Sequence, residues 1–169
     1  MSCFYSTNKC LSSLIELQKW KKLNNTIGSS KKLNNLSCTC ERCASESSLL
    51  HLACKFKPPL HIVRNLYALD PFNASQMDSN RRYPLHLAVE YQSSLEVVQF
   101  LIESHTLAAE SRDIYGRTPL YIAVQQCKEK WKRQNMGDLR ILFEATYMIN
   151  IIDLLCDAYP ALPLVEDEN

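Results

Sequence analysis

One short block recurs through the chain at a fixed interval, and this recurrence restricts the fold more than any other feature. Ser48-Leu49-Leu50-His51-Leu52-Ala53, Tyr83-Pro84-Leu85-His86-Leu87-Ala88 and Thr118-Pro119-Leu120-Tyr121-Ile122-Ala123 each start 35 residues after the one before. A second pattern keeps the same register: Ile62-Val63 with Leu66 matches Val97-Val98 with Leu101, and Asp78 matches Asp113. Units of this size cannot bury an apolar face alone, so they stack on one another and share a continuous core.

The chemistry of one unit predicts its local structure. Thr118 is a good N-cap, because its hydroxyl accepts from an orphan N–H of the first helical turn. Pro84 and Pro119 suit the first helical position, where no N–H is required. Leu120, Ala123 and Val124 follow at helical spacing, facing a core. Ala53, Ala88 and Ala123 stand where a larger side chain would hold helices apart. A polar break such as Gln92-Ser93-Ser94 leads to a second amphipathic helix, Leu95 to Ile102, and in the first unit Pro58-Pro59 marks the same start. Asp113-Ile114-Tyr115-Gly116 reads as a tight turn, with Gly116 free to take positive φ.

This pattern resembles the ankyrin repeat. The matching residues are Asp113, Gly116, Arg117, Thr118, Pro119, Leu120 and Ala123 in the third unit, Asp78, Pro84, Leu85, His86, Leu87 and Ala88 in the second, and Leu50, His51, Leu52 and Ala53 in the first. The resemblance implies an all-α solenoid of about three helix-turn-helix repeats. Its hairpin tips and inner helices would form a concave surface for binding another protein. The match departs from the family pattern at Arg81, which stands where Gly is expected, at Tyr83 in place of the capping Thr, and at Tyr121 in place of His. The helical pairs are therefore better supported than the hairpin turns.

Ile62, Val97 and Ile151 hold equivalent places, but the second step is 54 residues rather than 35. About 19 extra residues thus lie between the helices of the last repeat. They continue the helical pattern: Val124, Cys127 and Trp131 extend one face, Gly137-Asp138 stop and restart the helix, and Leu139, Leu142, Phe143, Tyr147, Ile151 and Leu155 follow at spacings of three and four. Both helices are expected to be longer by two or more turns and to form a projecting hairpin. Trp131 and Phe143 either anchor a partner there or pack on each other.

The expected organisation is a capping helix (Cys10 to Asn25) and polar linker over residues 1–42, repeats over 43–77, 78–112 and 113–165 with the insertion at 128–147, and an acidic tail at 166–169. The N-terminal helix covers the open end of the stack, either as a dedicated cap or as a decayed repeat.

Composition narrows the chemistry. Three glycines do not make a phosphate-cradling loop, and a net charge of +1 argues against a large nucleic-acid footprint. The N-terminal stretch lacks a signal-peptide h-region and no segment is apolar enough to span a bilayer, so a cytoplasmic or nuclear setting with reduced thiols is expected. Cys38, Cys40 and Cys43, with His51 or Cys54 beyond, have the spacing of a weak zinc site. Against that, there is no second cysteine pair, and His51 falls on the repeated block. No cofactor is expected.

The expected function is that of a monomeric, non-catalytic protein-interaction scaffold. Arg81, Arg82, Tyr83, Tyr115 and Arg117 would bind at the tips, Glu90, Tyr91, Gln125 and Gln126 on the inner helices, and Trp131 on the arm. Tyr83 and Tyr115 have a second reading, as braces between adjacent turns. Alternatives of a different class are a regulatory or targeting subunit, or a fragment, of an enzyme, or a zinc-dependent regulator built on the cysteine cluster. Arg117→Ala is expected to leave stability nearly unchanged. Ala88→Leu is expected to destabilise by about 1–3 kcal/mol through overpacking between helices, measured by thermal or urea denaturation. A neutral result there would refute the repeat register.

Overall fold

The computed structural model describes residues 11–29, 48–133 and 139–158, with side chains throughout except at 28–29, 130–133 and 139–145. Among these residues the structure is helical, with no strand. Eight α-helices run in chain order: α1 Leu11–Glu16, α2 Trp20–Ser29, α3 Leu49–Cys54, α4 Leu60–Leu69, α5 Pro84–Glu90, α6 Leu95–Ser104, α7 Pro119–Arg133 and α8 Leu139–Asp157.

They form two layers. The inner helices stack as α1 on α3, α3 on α5 and α5 on α7, and the outer helices as α2 on α4, α4 on α6 and α6 on α8. The repeated alanines explain how close the inner layer packs. Ala53, Ala88 and Ala123 are each fully buried, and Leu50, Leu85 and Leu87 fill the space beside them. Ile62, Val97 and Ile151, equivalent in the sequence, are likewise all fully buried in the outer layer.

The N-terminal segment differs from expectation. A single helix from Cys10 to Asn25 is replaced by two, because the chain turns at Gln18, which has φ of 51°. The turn is closed by Gln18 N–H to the Ile15 carbonyl and Lys19 N–H to the Leu14 carbonyl, both 2.8 Å. This is the Schellman arrangement that satisfies the last carbonyls of a helix. The pair α1–α2 thus stacks on the first repeat as another repeat would, with Asn65 donating to Asn24 at 2.5 Å between α4 and α2.

The same left-handed turn separates inner from outer helix in the next two repeats. Lys57 has φ of 50° and Gln92 of 56°, and the two are 35 residues apart. Gln92 N–H reaches the Val89 carbonyl at 3.1 Å and Ser93 N–H the Ala88 carbonyl at 2.8 Å. The next position in this register is Cys127, which lies inside α7. Pro58-Pro59 and Ser93-Ser94 are replaced there by Lys128-Glu129, which favour continued helix. α7 therefore runs for 15 residues where α5 has 7, and α8 for 19 where α6 has 10. The longer helices pack against each other as the expected hairpin.

At the hairpin tips, Gly116 adopts φ of +74° and its equivalent Arg81 adopts 56°. A side chain at such a φ costs about 1–2 kcal/mol. A Cβ on Gly116 would meet nothing within 4 Å, so any penalty there comes from the backbone alone. Gly116→Ala is predicted to lower stability by about 1 kcal/mol, and Arg81→Gly to raise it by about 0.5–1 kcal/mol. Urea melts of the two variants check this, and equal responses at both positions would contradict it.

Candidate functional site

The tip of each hairpin is built around one carboxylate. Asp78 Oδ1 accepts from the backbone N–H of Asn80 and of Arg82, both at 2.9 Å, while its Oδ2 pairs with the Arg82 guanidinium at 2.8 Å. Asp113 repeats the arrangement: Tyr115 and Arg117 N–H at 2.9 Å, and the Arg117 guanidinium at 2.8 Å. Partial burial pushes both carboxyls up, but hydrogen bonds and charge from the paired arginine outweigh it and hold each below its ordinary value. The tips are joined to each other by Ile114 N–H donating to the Asn80 carbonyl at 3.1 Å.

A buried histidine ties each tip to the preceding inner helix. His86 Nδ1 accepts from Tyr83 N–H at 3.2 Å, which leaves Nε2–H to donate to the Ser111 carbonyl at 3.0 Å. His51 Nε2–H donates to the Arg82 carbonyl at 2.9 Å, so its Nδ1 accepts from the Ser48 hydroxyl at 2.8 Å. Both rings are fully buried, and that burial pushes them below the ordinary histidine value despite the opposite pull of the carbonyls and of Asp78 and Asp113. Tyr121, which replaces the third histidine, is 49% exposed.

On the inner side, α5 and α7 border an open cleft of about 540 Å³. Glu90, Gln92, Arg117, Tyr121, Ile122, Gln125, Gln126 and Glu129 line it. Its walls are cross-linked: Gln126 donates through Nε2 to the Glu90 carbonyl, and Gln92 donates to Gln126 Oε1 at 3.3 Å. Gln125 donates to the Tyr121 hydroxyl at 2.9 Å. Glu90 also receives Arg82 NH1 at 3.2 Å, so one arginine holds both a tip and an inner helix.

The chain matches the family described as ankyrin repeats (3 copies) over residues 50–153, more than half of its length. It belongs to the ankyrin-repeat family. No curated protein sequence matches it. Ankyrin repeats generally mediate protein–protein interaction and are typically non-enzymatic.

Within this ankyrin stack the expected contact residues have unequal standing. Glu90, Gln125, Gln126 and Arg117 come together in the cleft. Arg81 and Tyr115 stand at the tips with their side chains exposed, Tyr115 at 71%, and Arg117 lies over the Tyr115 ring at 5.0 Å. Tyr91 is exposed at the end of α5. Tyr83 is not at the surface: it is 9% exposed, its ring stacked near His86 and 5.0 Å from that of His105. As the N-cap of α5 it braces neighbouring elements, which is the second reading given above. Arg82 and Arg117 are committed to carboxylates rather than held free for a partner. Arg117→Ala would therefore strand the Asp113 carboxylate, whose side chain is fully buried, and the expected indifference to that change is withdrawn. Trp131 lies on α7, but its side chain is outside the described residues, as is that of Phe143 on α8.

Sequence reasoning missed Gln92, Ile122 and Glu129 in the cleft, and the Asp–Arg pairing. A signal for the latter existed, since Asp78/Arg82 and Asp113/Arg117 are both i,i+4 pairs repeated at the 35-residue period. Of the weak metal ligands, Cys38, Cys40 and Cys43 fall outside the described residues, and His51 has both ring nitrogens engaged. Among the described residues no group of three His, Cys, Asp or Glu is placed to hold a metal. Burial pushes the Cys54 thiol up to about 12, far from a nucleophile's range.

The histidine bridges carry a pH dependence. The folded state favours neutral rings while the unfolded chain protonates near 6.5, so their contribution is complete above that pH and is lost as pH falls below it. The limiting slope is about 1.4 kcal/mol per pH unit for each histidine. Asp78 and Asp113, with depressed values, lose their contribution only in a separate window below about pH 4. Urea melts at pH 7.5, 6 and 5 are expected to show falling stability in the upper window. A flat profile there would exclude buried neutral imidazoles.

Proposed function

We propose that the chain is a non-catalytic scaffold that binds another protein along the concave side of the stack, using the exposed tips and the cleft between α5 and α7. The observation that carries this reading is the cleft itself. It is open and lined mainly by polar side chains and an exposed tyrosine, and its walls are held in place by hydrogen bonds that span two repeats. Such a surface is pre-organised, so a partner meets it with little ordering cost. Tyr115, Tyr121 and Arg81 are the side chains best suited to supply contact area, because they combine reach, apolar surface and hydrogen-bonding groups.

Two of the tip arginines that would otherwise suggest phosphate binding, Arg82 and Arg117, are paired with Asp78, Glu90 and Asp113, which favours a protein partner over nucleic acid. No described helix is long and apolar enough to cross a membrane. Action as a regulatory or targeting subunit of an enzyme would use the same surface, with the enzyme as the partner. A cytoplasmic or nuclear location and a monomeric state belong to the proposal as expectations.

The test is affinity capture from native extract with wild type and an Arg81→Glu, Tyr115→Ala, Tyr121→Ala variant, with folding checked by circular dichroism. These three positions are exposed, so the variant should melt within about 0.5 kcal/mol of wild type, Arg81→Glu keeping the strained φ unchanged. A protein retained by wild type and lost from the folded variant is the expected result. Retention of the same protein by both forms would overturn the concave-face reading and direct attention to the α7–α8 hairpin.

A further inference from the structure

The last repeat ends the stack on a face that the repeat register marks as interior. Leu50, Leu85 and Leu120 hold one equivalent place on the inner helices, and Cys54, Val89 and Val124 another. Val63, Val98 and Ile152 correspond on the outer helices, across the steps of 35 and 54 residues. In the first two repeats all six are buried, at 1% exposure or less. In the third, Leu120, Val124 and Ile152 are only half-buried. Ile149 goes further, being 54% exposed where its equivalent Leu95 is half-buried. The cause is that α5 and α6 are covered by α7 and α8, while among the described residues no helix stacks on the far side of α7 and α8. Stacks of this kind ordinarily close with a polar outer face, and this one closes with leucine, valine and isoleucine.

The sequence beyond α8 is suited to that face. Residues 159–169 lie outside the described residues, and they begin Tyr159-Pro160-Ala161-Leu162-Pro163-Leu164-Val165, without one charged side chain. Three acids follow, Glu166, Asp167 and Glu168. The far end of α7 has the complementary sign: Lys128, Lys130, Lys132 and Arg133 stand against Glu129, four bases less one acid, a balance of +3. Arg140 and Glu144 on α8 add one charge of each sign. At the near end of α8, by contrast, Asp153 and Asp157 are both exposed.

We propose that residues 159–165 dock on the open face of the α7–α8 pair, running back along α8 so that Glu166 to Glu168 meet the basic end of α7. The two helices pack as an antiparallel hairpin, so Lys128 to Arg133 lie level with the first part of α8. At about 1.5 Å per residue, Ile152 and Ile149 lie roughly 8 and 12 Å back from Asp157, and the start of α8 about 27 Å back. An extended or polyproline chain advances about 3.1–3.3 Å per residue, which carries Leu162 roughly 13 Å from Ala158, Val165 roughly 23 Å and Glu166 about 25 Å. The apolar run therefore spans Ile152 and Ile149, and the acids arrive at the basic stem. Pro160 and Pro163 favour the extended form and lack backbone N–H groups that burial would otherwise leave unpaired. A path that kept the acidic stretch beside the end of α8 would set it against Asp153 and Asp157, so charge fixes the direction as well as the place.

The test is amide nitrogen relaxation and methyl NOE spectroscopy on the full chain in solution. The amides of Leu162, Leu164 and Val165 are expected to show order parameters above about 0.6, the level below which backbone is flexible. Methyl groups of Leu162 or Leu164 should give NOEs to Ile149 or Ile152. Leu162→Asp, Leu164→Asp lies beyond the last helix and is expected to leave the stack folded, while dropping these amides below that level and removing the NOEs. Ile149→Asp, at an exposed position, should do the same from the other side of the contact. Raising salt from 0.1 to 1 M shortens the screening length from about 10 to about 3 Å and should release Glu166 to Glu168. Acidic residues whose order is indifferent to salt would overturn their placement on α7. Flexible amides at Leu162 to Val165 in the wild type at low salt would overturn the docked segment. If sedimentation then showed a concentration-dependent dimer abolished by Ile149→Asp, the occupant of the open face would be a second copy of the chain instead.

Discussion

A buried neutral imidazole is what fixes one repeat to the next. His51 reaches the Arg82 carbonyl and His86 the Ser111 carbonyl, each from the first turn of an inner helix to the chain near the following tip. The Arg82 carbonyl also accepts from the Asp78 N–H at 2.9 Å, so the imidazole adds a second bond there, a contribution of about 0.5–1.5 kcal/mol. The imidazole suits the task because its second nitrogen accepts from the start of its own helix, from the Ser48 hydroxyl or the Tyr83 N–H. One side chain thus caps a helix and sets the spacing of two units. The tip carboxylates depend on that placement, since Asp78 and Asp113 organise loops whose position the histidine has already determined.

The third repeat shows what happens where this device is absent. Position 121 carries tyrosine, the ring turns to the surface, and among the described residues no bridge of this kind extends beyond it. The left-handed turn that ends α3 and α5 is also missing, and α7 continues through its place. The two departures have different local causes, one a side chain and the other a helix stop. Together they convert the last unit from a link in the stack into a long helical pair, tied back by the Tyr147 hydroxyl donating to the Ser93 carbonyl. The cleft exists because of this change: Gln126 and Glu129 lie along the lengthened α7, one helical turn or less from where a repeat of ordinary length would already have turned away.

Much of the fold could be read from the period alone. A fixed interval between Ala53, Ala88 and Ala123 specifies close-packed inner helices, and the step from 35 to 54 residues specifies a longer last pair. Features set by backbone conformation were harder to see. Lys57, Gln92, Gln18 and Arg81 all take positive φ, and none is a residue type that announces it. Without that, α1 and α2 merge into one helix on paper, because the apolar spacing carries on across Gln18. The site was legible only in part for a related reason. Arg82, Arg117 and Tyr83 have the composition of binding residues, and it takes the positions of Asp78, Asp113 and His105 to show that they are occupied. Gln92 and Gln126 are 34 residues apart, so nothing in local sequence brings their amides together.

The Asp–Arg pairs also show why charge on such a face is easily misjudged. Arginine at a loop tip suggests an anion-binding surface, and net charge near zero suggests no field at all. Pairing within each tip offsets the charge of Arg82 and Arg117 locally, while Arg81 stays exposed beside them. Helix ends divide differently: the end of α3 carries Lys55, and the equivalent end of α5 carries Glu90, which shares Arg82 with Asp78. A repeat protein is well suited to this division. Residues that hold the stack together recur with the period, whereas residues at the same helix ends are free to change sign from one repeat to the next, as Lys55 and Glu90 do. The scaffold is therefore specified by what repeats, and selectivity by what does not.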